Sequence, residues 1–297
     1  MIADPPSFSV VVPTRDRPAA LERCLRALVR QEYSLDRFEV VVVDDRSNTD
    51  PGPIVSRFGT RPGIRLAKGR GAGPAAARNL GARVADGKIL AFTDDDCRPR
   101  PGWISTLADT LARRPGAGAG GRTVNVLESN PFSTASQMLI DYLCDYHNEP
   151  GEPGSFFTTS NLALPADDFG ALGGFSEAFD SPGGEDREFV DRWIQSGRRI
   201  VWAPEAIVDH AHPLTLSSFL RQHARYGEGA RVFHRLLRRN GRPPPRLEPP
   251  RFYRGLIGEP FRAGADRPVL LAALLALSQA ATALGYLAVG PPAELRT

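Results

Sequence analysis

Cysteine is scarce in this 297-residue chain: Cys24, Cys97 and Cys144 stand far apart, with no CxxC pair and no metal-finger spacing. That scarcity excludes a disulfide framework and a structural zinc site, and it fits a reducing cytosol. The opening residues, MIADPPSFSVVVPTRD, lack both the basic stretch and the long apolar run of a secretory signal, so a cytoplasmic location is expected. Lysine is almost missing, with Lys68 and Lys88 against 35 arginines, a bias of composition from which no mechanism follows. Net charge is only +3, too small to make nucleic acid the expected partner. No internal repeat is found. What remains is an ordinary globular composition, 41% apolar and 24% charged, in a length that holds one large domain or one domain with an appendage.

Three short apolar runs end in polar clusters: Phe8 to Val12 before Pro13-Thr14-Arg15, Val40 to Val43 before Asp44-Asp45, and Ile89 to Phe92 before Thr93 and Asp94-Asp95-Asp96. Runs this short, apolar and β-branched predict parallel strands buried on both faces. Between them, Ala19 to Arg30 carries Leu21, Leu25, Leu28 and Val29 on one helical stripe, and Ala75 to Ala85 carries Leu80 and Val84. Strand and helix alternate, which predicts an α/β fold with a mostly parallel sheet. Further helices are expected near Ser133 to Tyr146, over Glu185 to Gln195 and over Leu216 to Arg239, with a preceding short strand at Ile207 to Val208. Ligands of such sheets bind at the carboxyl ends of the strands, where this chain places five carboxylates and an arginine.

Three adjacent carboxylates at a strand end repel one another unless something positive offsets them, and a divalent cation is the simplest answer. In an extended segment Asp94 and Asp96 would point the same way and Asp95 elsewhere, giving a D-x-D pair of hard oxygen ligands suited to Mg or Mn. Asp44-Asp45-Arg46-Ser47 offers acceptors for a base or ribose, although Asp and Ser equally open turns. Gly183-Gly184-Glu185-Asp186 opens a helix, where its acids either complement the helix dipole or include a general base on a glycine hinge. His210 and His212 are either metal ligands or structural imidazoles. A rival reading is also open: Gly71-Ala-Gly73-Pro-Ala-Ala76 matches the G-x-G-x-x-A fingerprint of an NAD(P)-binding Rossmann oxidoreductase, with Asp94 about 20 residues on.

In order and spacing, VVVPTRDRP, VVVDDRS, AARNLGA, ILAFTDDDCRPRPGW, SNLAL, GGFSEAF and GEDREF resemble the elements of a family 2 glycosyltransferase with the GT-A fold. The resemblance covers roughly residues 7 to 213. It implies an inverting, metal-dependent enzyme that moves a sugar from a nucleotide-diphosphate sugar, UDP by family habit, to a hydroxyl of a carbohydrate or lipid-linked acceptor. Pro13, Thr14, Arg15, Asp44 and Asp45 would line the nucleotide pocket beside Asp95, and Arg78 would reach the base or diphosphate. Asp94 would face the ribose or the Mn or Mg ion, Asp96 would hold that ion, and His210 would add a contact. Asp186 would be the catalytic base, with Glu185 in support. Asn161 falls in the acceptor-side segment, and Gln222-His-Ala-Arg225-Tyr226 resembles the Q-x-x-R-W element of processive members, with Tyr for Trp. That change and the absence of several flanking membrane helices imply one sugar per encounter. A catalytically silent nucleotide-sugar-binding protein is the remaining alternative.

The small net charge is a sum of opposed parts. Residues 1–215, expected to form the GT-A domain, carry −5, whereas the helical extension 216–297 carries +8. Within that extension, residues 269–290 hold no charge, enough length to cross a bilayer at about 20 residues per span, though Ser278, Gln279, Thr282 and Gly285 interrupt it. Burial against its own domain, a homodimer contact and an interfacial or spanning membrane helix all fit that composition, and a basic tail beside it suits an anionic, cytoplasmic membrane surface.

Overall fold

A computed structural model of the chain describes residues 7–59, 62–179 and 183–288. Residues 1–6 of the N-terminal stretch and 289–290 of the apolar stretch lie outside the described residues. The strands are β1 (Phe8–Thr14), β2 (Phe38–Asp44), β3 (Gly63–Lys68), β4 (Ile89–Phe92), β5 (Cys97–Pro99), β6 (Gly118–Asn125), β7 (Leu162–Pro165) and β8 (Ile200–His210). The helices are α1 (Pro18–Leu28), α2 (Gly52–Val55), α3 (Pro74–Val84), α4 (Trp103–Arg113), α5 (Pro131–His147), α6 (Ala166–Ala171), α7 (Glu185–Gln195), α8 (Leu216–Arg239), α9 (Pro250–Arg262) and α10 (Pro268–Ala288).

All eight strands join one sheet in the order β3-β2-β1-β4-β7-β6-β8-β5. The first four are mutually parallel, β7 runs against both its neighbours, and β5 runs against β8. The valine runs of β1 and β2 work because side chains alternate across a strand. Val10, Val12, Val40 and Val42 enter a core with Leu21, Leu25 and Leu28 of α1 and Trp103 of α4; Val11, Val41 and Val43 enter the core on the other face with Phe92, Phe189 and Trp193. Full burial on both sides is why these strands read as continuous apolar runs rather than alternating ones.

The expected boundary after Thr215 coincides with a helix cap. The Thr215 hydroxyl accepts from Ser218 N at 3.2 Å while Thr215 N donates to the Ser218 hydroxyl at 2.8 Å, a reciprocal pair that starts α8. The helices beyond it are not separate from the body. Phe219, Leu271 and Leu274 share a cluster with Ala135 and Leu214, and Phe252, Leu256 and Leu275 share another with Leu139 of α5.

Helix α8 is held on two sides by glycines. A Cβ at Gly227 would meet Thr282 O of α10 at 1.9 Å, and one at Gly229 would meet Gly183 O at 1.8 Å, so backbone lies on backbone at both contacts. Gly227→Ala should therefore lower Tm by about 5 °C, the scale of about 1 to 3 kcal/mol for overpacking in a chain of this size. Gly258→Ala, whose Cβ meets nothing within 4 Å in α9, should leave Tm unchanged or slightly raised. Equal Tm values for the two variants in a thermal melt would contradict this packing.

Candidate active site

The parallel register sets Thr14 opposite Asp44, so the carboxyl ends of β1 and β2 open together at one edge. Two loops leave there with non-glycine residues in the left-handed region, Asp16 at φ 56° and Arg46 at φ 64°. Such backbone persists only when its surroundings hold it. Here the Asp16 carboxylate accepts from Asn48 N at 2.6 Å and Asn48 Nδ2 at 3.0 Å, and Asp16 N donates to the Ser47 hydroxyl at 3.0 Å. Asp44 closes its own turn by accepting from Ser47 N at 2.8 Å. Pro13 is half-buried and Arg15 exposed at this rim.

The Asp94–Asp96 segment is a turn rather than the extended strand expected, closed by Cys97 N donating to Asp94 O at 3.1 Å. The turn still brings ligand atoms of Asp94 and Asp96 within 4.8 Å of each other. Asp95 faces the interior: its two oxygens take the Thr14 hydroxyl at 2.7 Å and Arg17 Nη1 at 3.2 Å, and it is 3% exposed. Burial pushes its carboxyl up to about 6, against the pull of Arg17 and Thr14. Asp95 and Thr14, both expected at the nucleotide pocket, thus bond each other inside the protein. The buried Arg78 guanidinium, expected to reach the base or diphosphate, spans Asp94 at 2.7 Å and Glu185 at 3.3 Å and so joins the two acidic segments.

Strand pairing delivers the histidines. Cys97 pairs with His210, and Ala211 N donates to Asp96 O at 3.0 Å. His210 Nε2 then lies 3.4 Å and His212 Nδ1 3.1 Å from the Asp96 carboxylate, which Arg17 also reaches at 2.9 Å. Burial alone would raise the Asp96 pKa, but these cations and donors hold it well below the usual carboxylate range. Asp96, His210 and His212 each offer one ligand atom, all within 4.8 Å. A carboxylate oxygen with two imidazole nitrogens is a donor set that fits a divalent cation. Cys97 stands nearby, but burial pushes its thiol well up and keeps it protonated.

Sequence reasoning offers His212 beside His210, and their His-x-His spacing at a strand end puts both rings on one side, but it does not single out Arg17. Gln222 completes the group, its Oε1 at 2.9 Å from His212 Nε2 and its Nε2 donating to Ser136 and to the Tyr226 hydroxyl. Gln222 thus supports the cluster, Tyr226 lies beside it, and Arg225 is exposed. Asn161, expected on the acceptor side, lies inside the protein. It is 1% exposed, accepts from Trp103 Nε1 at 2.8 Å, and donates to Arg122 O and Ala206 O where the β6–β8 register shifts. It satisfies carbonyls that a bulge would otherwise leave unpaired.

The glycine loop does not behave as a dinucleotide fingerprint. β3, which precedes it, is the edge of the sheet, and Gly73 N at the start of α3 donates to the Asp45 carboxylate at 2.9 Å. A fixed negative group occupies the helix N-terminus where a pyrophosphate would sit.

On the far side, Gly183 and Gly184, at φ 127° and 100°, open α7. Glu185 is buried, with one oxygen on Arg78 and the other accepting from Gly183 N at 2.8 Å. Asp186 is half-buried and accepts from Arg187 N at 2.8 Å. Burial and the neighbouring Glu185 charge push its carboxyl up to about 7.

Comparison with known proteins matches residues 9–173 to the model of Glycosyl transferase family 2, and residues 144–213 to that of the N-terminal domain of galactosyltransferase. Validoxylamine A glucosyltransferase of Streptomyces hygroscopicus subsp. jinggangensis is 31% identical over 248 residues, 72% of this chain and 59% of the relative. Pre-mycofactocin glycosyltransferase of Mycobacterium tuberculosis is 29% identical, over 75% of this chain and 46% of the relative. The chain spans about half the length of these curated relatives. Among solved structures, a mannosyltransferase of Pyrobaculum calidifontis in complex with GDP-Man and Mn2+ superposes with a TM-score of 0.60 at 22% identity, over 98% of this chain and 78% of the other. S. aureus TarS 1-349 in complex with UDP gives 0.53 at 18%, over 94% and 89%. The fold is the expected GT-A type with a helical extension.

The two adjacent carboxylates should respond oppositely to removal. A carboxyl raised from 3.8 to about 7 costs the fold nothing below its unfolded value, and the full amount above about 7. Asp186→Asn should therefore raise Tm at pH 8 and change it little at pH 4. Glu185→Ala should lower Tm by about 5 °C, because Arg78 keeps a buried charge with one partner fewer. Melts showing both variants shifted the same way at pH 8 would contradict these environments.

Proposed function

The chain belongs to family 2 of the glycosyltransferases, and from that premise we propose that it transfers a sugar from a nucleotide-diphosphate sugar to an acceptor hydroxyl, with inversion, using Asp186 as the base. The observation that carries this reading is the contrast between the two acids opening α7. Glu185 has both oxygens committed to Arg78 and Gly183, whereas Asp186 keeps one oxygen without a partner among the described residues and sits near the pH at which a base is most effective.

Asp186 accepts the proton of the acceptor hydroxyl as that oxygen bonds to the anomeric carbon from the face opposite the departing group. The bond from the anomeric carbon to the diphosphate oxygen breaks, and its electron pair leaves with the nucleoside diphosphate. Asp96, His210 and His212 would hold a divalent cation, whose positive charge would stabilise the departing diphosphate. The mixed oxygen and nitrogen donors favour Mn over Mg. Asp44, Asp45 and the rim residues Pro13 and Arg15 would line the nucleoside pocket, and Arg78 fixes the distance between the turn and the base by holding Asp94 and Glu185 together. UDP is the nucleotide to test first, with GDP its competitor, since solved neighbours carry one or the other.

Removing the base and removing the ligand should fail differently. Asp186→Asn should cut transfer by about a thousandfold or more, in keeping with loss of a general base, while calorimetry still detects Mn-dependent UDP binding. Asp96→Ala should lose that binding. In the wild type, kcat/KM should climb with pH up to about 7 and then level, because the protonated acid below that value cannot accept a proton. Near wild-type transfer by Asp186→Asn would remove the assignment.

A further inference from the structure

A helix that is apolar all round must be covered all round. Helix α10 holds no charged residue, and among the described helices it alone is long and apolar enough to cross a membrane. One side is covered by the protein, with Leu271, Leu274, Leu275 and Gly285 buried against α5, α8 and α9. The opposite side is open. Val269, Leu270, Leu277, Leu284 and Leu287 are 72, 42, 38, 67 and 72% exposed, and with the exposed Ala273, Ala276, Ala280 and Ala283 between them they recur every three or four residues and form one stripe. Phe261, at the end of α9 and 56% exposed, stands just before it in the chain with the exposed Arg262 and Arg267.

We propose that this open face of α10 seats the protein on an anionic lipid surface, the helix lying along the membrane with its leucines in the acyl boundary and the arginines of the extension at the headgroups. Charge selects this occupant. The extension carries +8, so a second copy docked through the same face would set two basic regions against each other, whereas anionic headgroups oppose that charge directly. The packing of α10 selects the orientation. Its backbone rests on that of α8 at Gly227 and Gly285, and crossing the bilayer would strip Phe219, Phe252 and Leu256 of their partners. Helix α8 in turn rests on Gly183 through Gly229 and reaches His212 through Gln222, so the seated helix is one element removed from the active site.

The test is flotation of the full chain with vesicles of phosphatidylcholine, with and without phosphatidylglycerol, at low and high salt; it needs no transferase activity. The wild type should float with the anionic vesicles and less so at high salt. Leu277→Glu with Leu284→Glu, both at exposed positions, should weaken that binding at least about tenfold with Tm unchanged. Arg267→Glu, which leaves the leucine stripe intact, should weaken binding to the anionic vesicles and not to the neutral ones. Equal flotation of wild type and the double variant would overturn the proposal. So would no flotation at all, or a wild-type dimer on sizing that the double variant dissociates, the result expected for a second copy.

Discussion

Asp94, Asp95 and Asp96 crowd three carboxylates into one turn of largely buried backbone, and such a charge density is tolerated only where cations and donors are built around it. Each acid receives its own answer. Arg78 takes Asp94, Thr14 and Arg17 take Asp95, and His210, His212 and Arg17 take Asp96. These partners come from β1 and its following loop, α3 and the end of β8, so neutralising one turn pulls together segments nearly 200 residues apart. Most of the site follows from that requirement. Arg78 extends to Glu185 and draws in the α7 loop, and His212 extends to Gln222 and draws in α8.

Glycine does the complementary work where charge does not. Gly229 lets α8 rest on Gly183 and Gly184, the two residues whose left-handed backbone aims the start of α7, and Gly227 lets α10 close on the other side of the same helix. The extension is thereby part of the framework of the base, although it supplies neither of the acids at that loop. The same arrangement places the uncharged helix outermost, with its unburied leucines facing away from the body.

The sequence made the central sheet legible because strands buried on both faces leave uninterrupted valine runs, and because acids at their carboxyl ends have few structural excuses. The helices α7 and α8 were readable from their stripes of large apolar residues to within the ends themselves. What was not readable depended on tertiary register. Asn161 sits in a motif at the expected place, yet its amide fills a bulge between β6 and β8 that no local pattern announces. Arg78 had the right charge for a phosphate, but no local pattern announces that it bridges two carboxylates. Arg17 entered the site through a loop whose partner lies about 80 residues away, a distance over which local periodicity carries no information.

Donor binding depends on Asp96, His210 and His212 acting as one ligand group beside the nucleotide rim. Anomalous diffraction at the manganese edge, from crystals grown with Mn and UDP, tests this most directly. It should show a peak within bonding distance of Asp96 and at least one of the two histidines, with the diphosphate on its open side. A peak that lies elsewhere, or a UDP diphosphate bound in the cleft without any peak, would contradict it.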